Sequence, residues 1–548
     1  MKKTLFTLLF GLLAASGLAQ DRIYIATDRS TYLAGDLVYC SLFCTDENGR
    51  QSDFSAVSYL ELISADGTAA EAKIGLFNGR GAGSLRIPAQ TPTGNYRLVA
   101  YTARSQAVTE GSRILAVFNA NSTARVKDGV KTVPEKDYQA PQPVEGTPEG
   151  GLKLSVPARL RPGQAATLLV SAPASGADIS VSVYHEDALA PADGNSLSAF
   201  LHGRPAAPGK RIGEYEGEII SASVEGLEQI QDDDLTHKFT AILSSAGDPS
   251  NVYLGRNDER GRIRFFTNNI YGDRELVCEV VSMEGHSCHI SLDSPFTHPE
   301  AGDLPVLQLS PSQREALINR KAALRTHASG ELDTLVRFLP KREDLLLAGS
   351  PKIRYHLDDY NRFPTVREIC VEFIHELQFV RKDKRWRIRM ALEEGTAYRR
   401  YVQENILVLM DGVVLTDHGM LEDFDAMLLE DIDIYRQAVV LGGVSYNGVV
   451  NFITKRNYVT ALHFPDNVRV IDFKGVSYPV AYPGGAPKGA DNDLRQLLYW
   501  HPALELSGGN QTQIGLHAPS YSGTFHVVAE GWDAQGAPLR AEAFFEVE

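Results

Sequence analysis

Four short stretches of this sequence carry residue types at spacings that suit chemistry. His375-Glu376 opens like the HExxH helix of zinc proteases, in which two histidines one turn apart hold the metal and the glutamate is the base. Position 379 is Phe, so the second ligand is missing and the pair reads as helix surface. His286-Ser287-Cys288-His289 brings donors close together, but with no second cluster a strand end fits better. Asp232-Asp233-Asp234 lacks the spacing, the glycine and the closing glutamate of a calcium loop and reads as a solvated loop. The fourth stretch, RKDKRWRIRM, is a tight basic hairpin carrying Arg381, Lys382, Lys384, Arg385, Arg387 and Arg389. Arg385, Arg387 and Arg389 alternate and so share one face of a strand. They are the candidate partner-binding residues, fit to meet an acidic partner; the plainer alternative is a solvated face. The sequence contains no GxSxG, no P-loop and no GxGxxG after a strand. The expectation is therefore no catalytic residue, no cofactor, no metal, and a protein that is not an enzyme.

Composition narrows the class further. The 548 residues carry a formal charge of −15, and loss of Lys2 and Lys3 with a leader makes it −17 (−15 minus 2). That balance argues against nucleic acid and anionic membrane surfaces as partners. Five cysteines are too few for a disulfide scaffold. Cys40 and Cys44, four apart on one strand, are separated by about 13 Å and cannot pair with each other. Cys278 and Cys288 remain open between a disulfide across a hairpin and two buried thiols.

The elements that must position these residues are mostly strands. Lys2 and Lys3, the apolar run Leu5–Leu18 and the small residues Gly17 and Ala19 make residues 1–19 a signal peptide. No other run of ~18 apolar residues exists, so no membrane-spanning helix is expected after its cleavage. Residues 20–118 show short alternating strands broken at Gly35-Asp36, Asp66-Gly67 and Thr93-Gly94-Asn95, the pattern of a β-sandwich. Residues 119–150 form a Pro-rich linker, 151–215 a second sandwich with an irregular insertion, and 216–295 a third β-unit. A helical connector follows over 296–350, opened by the capping box Ser310–Gln313 with Pro311 at the first helical position. Within 351–460, Thr365 and Glu368 form another capping box. Val366, Cys370, Phe373 and Leu377 make one apolar stripe that needs a face to cover, offered by Ile406–Met410 and Val449–Ile453. Phe373→Ala should on that reading cost about 3–5 kcal/mol. Asp411-Gly412 lies between two apolar runs and marks a hairpin. Residues 461–548 read as a last sandwich. The fold class is thus mainly β and multidomain: tandem Ig-like sandwiches around a small α+β unit.

Several of these stretches resemble known families. Thr27, Asp28, Arg29, Tyr32, Gly35 and Asp36, with SYLELIS and GNYRLVAYT, resemble the macroglobulin-type domain of alpha-2-macroglobulins. No cysteine stands in the Gly-Cys-Gly-Glu-Gln thioester context, so protease trapping by that chemistry is not implied. Asn257–Arg262 weakly resembles a segment of carboxypeptidase-regulatory sandwiches. ILVLMDGVVLTD, DIDIY and YNGVVNFITK, within 406–455, resemble the plug domain of TonB-dependent receptors. Only 93 residues follow Lys455 (548 minus 455), fewer than a plugged barrel of about 22 strands of roughly 10 residues needs. YHLDDYNRFPTVRE and DLRQLLYWHP resemble segments of large Bacteroidetes envelope proteins that combine macroglobulin-like and plug-like parts.

What the resemblance implies is a non-enzymatic interaction or scaffold protein, exported to the periplasm, the outer membrane or the cell surface. Its partner is another envelope protein, and its oligomeric state is open. The alternative is an accessory of TonB-linked nutrient uptake that binds a barrel or a ligand; a hydrolase has the least support.

Overall fold

The first strands are built by alternation. In Leu37–Thr45, Val38, Cys40, Leu42 and Cys44 point into one core while Tyr39 and Phe43 point the other way, and all six are buried. The structure, a computed structural model, describes residues 20–122, 129–138, 149–187, 189, 196–209, 211–225, 240–247, 251–258, 261–268, 270–281, 286–328, 336–337, 347, 350–391, 401–402, 405–441, 444–456, 459, 462–482 and 493–548. The expected leader at 1–19 and the Asp232-Asp233-Asp234 triplet lie outside these residues. The chain is mainly β and forms two compact units interleaved in sequence. One comprises Met1–Gly217, Pro295–Leu339 and Val476–Glu548, the other Glu218–Ser294 and Pro340–Gly475.

The first unit opens with an eight-stranded arrangement that wraps one core. The long strand Gly67–Phe77 pairs with Val57–Ser64 along most of its length, and its last two residues cross to Arg80–Gly81, which joins the two sheets. Asp28 is buried and accepts from the Tyr32 hydroxyl (2.8 Å) and the Tyr39 amide (2.9 Å). Arg29 bridges to Asp36 at 3.0 Å across the turn in which Gly35 takes φ +103°. A Cβ on Gly111 would sit 2.0 Å from the Ile23 carbonyl oxygen, so the close approach of the Thr109–Gly111 turn to the first strand admits only glycine.

Two expected sandwiches turn out to be one. Ala177–Glu186 pairs on one side with Leu497–Leu506 and on the other with Gly523–Trp532, while Ala165–Ser171 pairs with Gln511–His517. The separate domains expected at 151–215 and 461–548 are thus halves of a single sandwich with one core (Leu168, Val170, Ile179, Val181, Val183, Ile514, Phe525, Val527, Phe545). The physical reason is strand supply: residues 153–186 provide four strands whose apolar faces stay uncovered until the last segment arrives. This sandwich lies on the outer face of Leu37–Thr45, where Tyr39 stacks on Trp500 (5.3 Å) and Phe43 meets Trp532 edge-on (5.0 Å).

In the helix Gln313–Ala328 the capping box is half formed. The Gln313 side chain accepts from the Ser310 amide at 2.9 Å, but the Ser310 hydroxyl goes to Ser312.

In the second unit, seven strands form one sheet whose inward residues (Ile220, Leu243, Ile263, Phe265, Leu276, Cys278, Ile290, Phe473) share a core. Its edge strand is Val468–Lys474, paired with Asp273–Val280. That strand was expected in the last sandwich, so the 461 boundary falls too early. The opposite face of the sheet, with Ile242, packs on Leu407, Leu409 and Val449. These belong to a five-stranded sheet, in order Ile353–His356, Leu429–Tyr435, Val449–Thr454, Leu407–Met410, Val413–Val414. Asp411 and Gly412 turn with φ +47° and +82°, and the Asp411 carboxylate caps Thr454 through its amide (2.8 Å) and hydroxyl (2.7 Å).

The helix over this sheet is shorter than expected. It spans Val366–Glu372, with the Thr365–Glu368 capping box complete. Phe373 is its C-cap at φ −143°, and Leu377 begins a strand. The stripe that enters the core is therefore Val366, Ile369 and Cys370, followed by Ile374 and Leu377, while Phe373 only lies against it. Phe373 is half-buried and stacks flat on Tyr360 at 4.6 Å. Phe373→Ala should accordingly cost about 2 kcal/mol, from partial burial and its ring contacts with Tyr360, Tyr355 and Phe363, not the full price of a core phenylalanine. Urea unfolding checks the value.

Candidate functional site

The basic hairpin is built by strands Leu377–Lys382 and Arg385–Ala391, joined at Asp383 and Lys384, both at positive φ (48° and 65°) as a two-residue turn of this twist requires. Ile388 and Met390 face inward and are buried in the second unit's core, which fixes the opposite face outward. Arg381, Lys382, Lys384 and Arg385 are exposed. Lys382 and Arg385 stand directly opposite each other, like charges in a position that weakens a strand pair. Arg387 and Arg389 are half-buried. Arg387 donates to the Thr416 carbonyl (2.8 Å) and Arg389 to the Gln378 side chain (2.8 Å). The six expected residues therefore divide: four form the exposed tip, and two brace it. Trp386 lies under the tip, with the guanidinium of Arg367 4.9 Å and that of Arg381 5.8 Å from its ring.

His418 supports this hairpin from behind. Its Nδ1 accepts the Ile388 amide at 2.9 Å, which requires that nitrogen to be unprotonated. Burial, reinforced by the Arg387 charge, pulls its pKa from the ordinary 6.5 down to about 4. A lowered folded-state pKa means the contribution to stability is complete above 6.5 and is lost as pH falls toward 4. The stability advantage of the native chain over His418→Gln should therefore shrink between pH 6.5 and 4. Amide exchange of the 385–391 strand, compared at pH 7 and pH 4.5, checks it. An advantage that does not change with pH contradicts the assignment.

A second concave place was not foreseen. In the first unit, the helix Gln313–Ala328 and the second sandwich enclose a cleft of about 410 Å³ lined by His185, Asp187, Glu315, Arg320, Gln496 and Tyr521 among others. Arg320 donates to Asp187 (2.5 Å) and to the Thr31 carbonyl (2.8 Å), so that pair is satisfied within the fold. His185 Nδ1 lies 3.1 Å from the Gln496 oxygen, and burial lowers its pKa, keeping the ring neutral. Ser522 lines the same cleft, but among the described residues no hydrogen bond joins it to His185. The cleft offers donors and acceptors to a polar ligand without the nucleophile–base contact that acyl transfer needs. Its residues come from segments some 130 and 310 positions apart, which no local pattern signals.

The other sequence candidates scatter. His375-Glu376 lies in the turn after the helix ends at Glu372, not on the helix surface as expected, and the Glu376 side chain accepts from the Tyr355 hydroxyl. His286 and His289 are exposed while Cys288 is buried in the seven-stranded core, so the three do not converge. All five cysteines are free and buried. Burial pushes the Cys278 thiol up to about 12, as it does Cys370, which keeps both unreactive.

No protein-family model and no curated protein matches the sequence. Solved structures similar to it include trypsin-activated alpha-2-macroglobulin from Escherichia coli, at 11% identity over 96% of this chain and 41% of that one, with a TM-score of 0.24. Salmonella alpha-2-macroglobulin reacted with methylamine is similar at 10% identity, over 96% of this chain and 39% of that one, with a TM-score of 0.25. The Yersinia pseudotuberculosis adhesin InvE aligns at 12% identity over 49% of this chain and 57% of its own, with a TM-score of 0.14. The chain spans about two fifths of the length of these macroglobulins.

Proposed function

We propose that this protein is a non-enzymatic, protein-binding scaffold of the bacterial envelope whose partner presents an acidic surface to the 381–385 hairpin tip. The observation that carries the reading is the set of four exposed cations, Arg381, Lys382, Lys384 and Arg385, on a hairpin anchored through Ile388 and Met390, in a chain of net charge −15. The net negative charge repels further copies of the chain, while the compact positive tip steers an oppositely charged surface to one place. The envelope location rests on the leader-like residues 1–19 and on the resemblance of 355–368 and 493–502 to Bacteroidetes envelope proteins.

The test uses the full chain and a fluorescent oligo-glutamate peptide as the probe of acidic surface. Binding should weaken steeply with salt, since exposed charges are screened beyond about 8 Å at physiological ionic strength. It should be lost in the fourfold variant R381E/K382E/K384E/R385E. Equal binding by that variant, or turnover in a peptidase and glycosidase screen, rejects the reading.

A further inference from the structure

Two carboxylates oppose each other on the first sandwich. Glu61 in Val57–Ser64 and Glu71 in Gly67–Phe77 are direct cross-strand partners. Like charges so placed destabilise a sheet unless a positive group lies between them. Glu61 is also fully buried, where an ionised carboxylate needs several partners. The group that meets both comes from residues 295–306, an irregular run held against the same sheet. Arg97 holds that run by donating to the carbonyls of Ala301 (2.7 Å) and Asp303 (2.8 Å), and Asn95 by donating to that of Pro305 (2.9 Å). His298, at φ +47°, places its Nδ1 3.1 Å from Glu61 Oε2 and 3.3 Å from Glu71 Oε1.

We propose that Glu61, Glu71 and His298 bind a divalent transition-metal ion of the zinc class, which pins the 295–306 run to the first sandwich. The three donor atoms lie within 4.8 Å of one another. Zinc bonds of about 2.0–2.1 Å in a tetrahedron put neighbouring ligand atoms about 3.3 Å apart, close to the two spacings from Nδ1. One imidazole with two carboxylates selects such an ion over calcium or magnesium, which take oxygen donors alone. The two negative charges match a divalent cation. The surroundings orient Glu61 as an outer shell does: its Oε1 accepts from the Tyr101 hydroxyl and from the His298 amide (3.2 Å), leaving Oε2 turned to the site. Tyr101 is fixed in turn by the Thr297 amide (2.8 Å). The Thr68 hydroxyl donates to Glu61 Oε2 at 2.9 Å and lies 3.2 Å from His298 Nδ1, holding that oxygen toward the imidazole.

The test is calorimetric titration of the chelator-treated full chain with zinc chloride, alongside His298→Ala and Glu71→Gln. Both replaced residues are exposed, so each variant should keep the fold. The native chain should bind one equivalent more than His298→Ala, and Glu71→Gln should weaken that equivalent by about 10–100-fold. Cobalt(II) in place of zinc should give the intense visible absorption of a low-coordinate site, absent in His298→Ala. Zinc should also raise the melting temperature of the native chain but not of His298→Ala. Equal stoichiometry and affinity in the native chain and both variants overturns the proposal, as does no saturable zinc binding by the native chain, which leaves a hydrogen-bonded triad only.

Discussion

Glu530→Ala will destabilise the first unit by about 3–5 kcal/mol, the loss expected when one partner of a buried charge network is removed. Glu530, on Gly523–Trp532, is buried and takes three donors: the Tyr24 hydroxyl at 2.9 Å, Arg113 at 2.7 Å and Arg540 at 2.7 Å. Arg113 also donates to the Ile25 carbonyl and to the Tyr24 hydroxyl, each at 2.7 Å. Tyr24 and Arg113 come from the first sandwich, Glu530 and Arg540 from the second, so this carboxylate joins the two. Truncating it leaves the buried Arg113 guanidinium without its carboxylate partner and beside that of Arg540, which keeps only Glu542 (2.8 Å). Glu530→Gln keeps the shape and one acceptor and should lose less. Trp500 and Trp532 both lie in the first unit, so their fluorescence in urea, with amide exchange of 523–532 as a second measure, reports the change where it occurs. A loss below about 1 kcal/mol would show that water or a shifted side chain replaces the charge.

The distribution of such contacts explains what the sequence alone could convey. Strands and turns of the first sandwich are local matters: Gly35-Asp36 and Asp66-Gly67 stand where the chain must reverse, and Gly35 and Gly67 take φ values of 103° and 112°. The outward face of Arg385, Arg387 and Arg389 is local too, because it follows from a period of two. Which strands meet is not local. Ala177–Glu186 carries the same alternating pattern whether it closes its own sandwich or, as here, awaits Leu497–Leu506 and Gly523–Trp532. One clue was present: LVYCSLFC in Leu37–Thr45 is nearly continuous in apolar residues, the mark of a strand buried on both faces. It points to a second layer over the first sandwich without naming it.

The candidate sites divide along the same line. Two of the three residues of the Glu61–Glu71–His298 triad follow from the Asp66-Gly67 turn, which sets strands 57–64 and 67–77 in register. His298 lies more than 220 residues further on, in an irregular run with no periodic pattern to place it. The cleft around His185 and Arg320 is hidden for the same reason. The helix expected through Val366–Leu377 shows the opposite error, a local pattern read too far. The apolar spacing of Val366, Cys370, Phe373 and Leu377 suits a helix, but the chain leaves the helix at Phe373 so that Leu377 can start the hairpin.

That difference sets the last expected result: Phe452→Ala will cost about 3–5 kcal/mol, well above the loss at Phe373. Phe452 is fully buried in Val449–Thr454, the middle strand of the five-stranded sheet. Met410 flanks it on one side and Ile432 on the other, and it shares a core with Val366, Ile369, Cys370 and Ile374 of the helical segment. Two flanking strands and a helix border this core position, so collapse around an alanine would have to move several elements at once, and the cavity stays open. Phe373, at a helix end with one ring stacked on it, has room to be replaced by solvent. The comparison is made on the full chain by following Trp386, the single tryptophan of the second unit, through urea unfolding of both variants. Equal losses for the two, or a larger one at Phe373, would mean that the helix and not the central strand anchors this core.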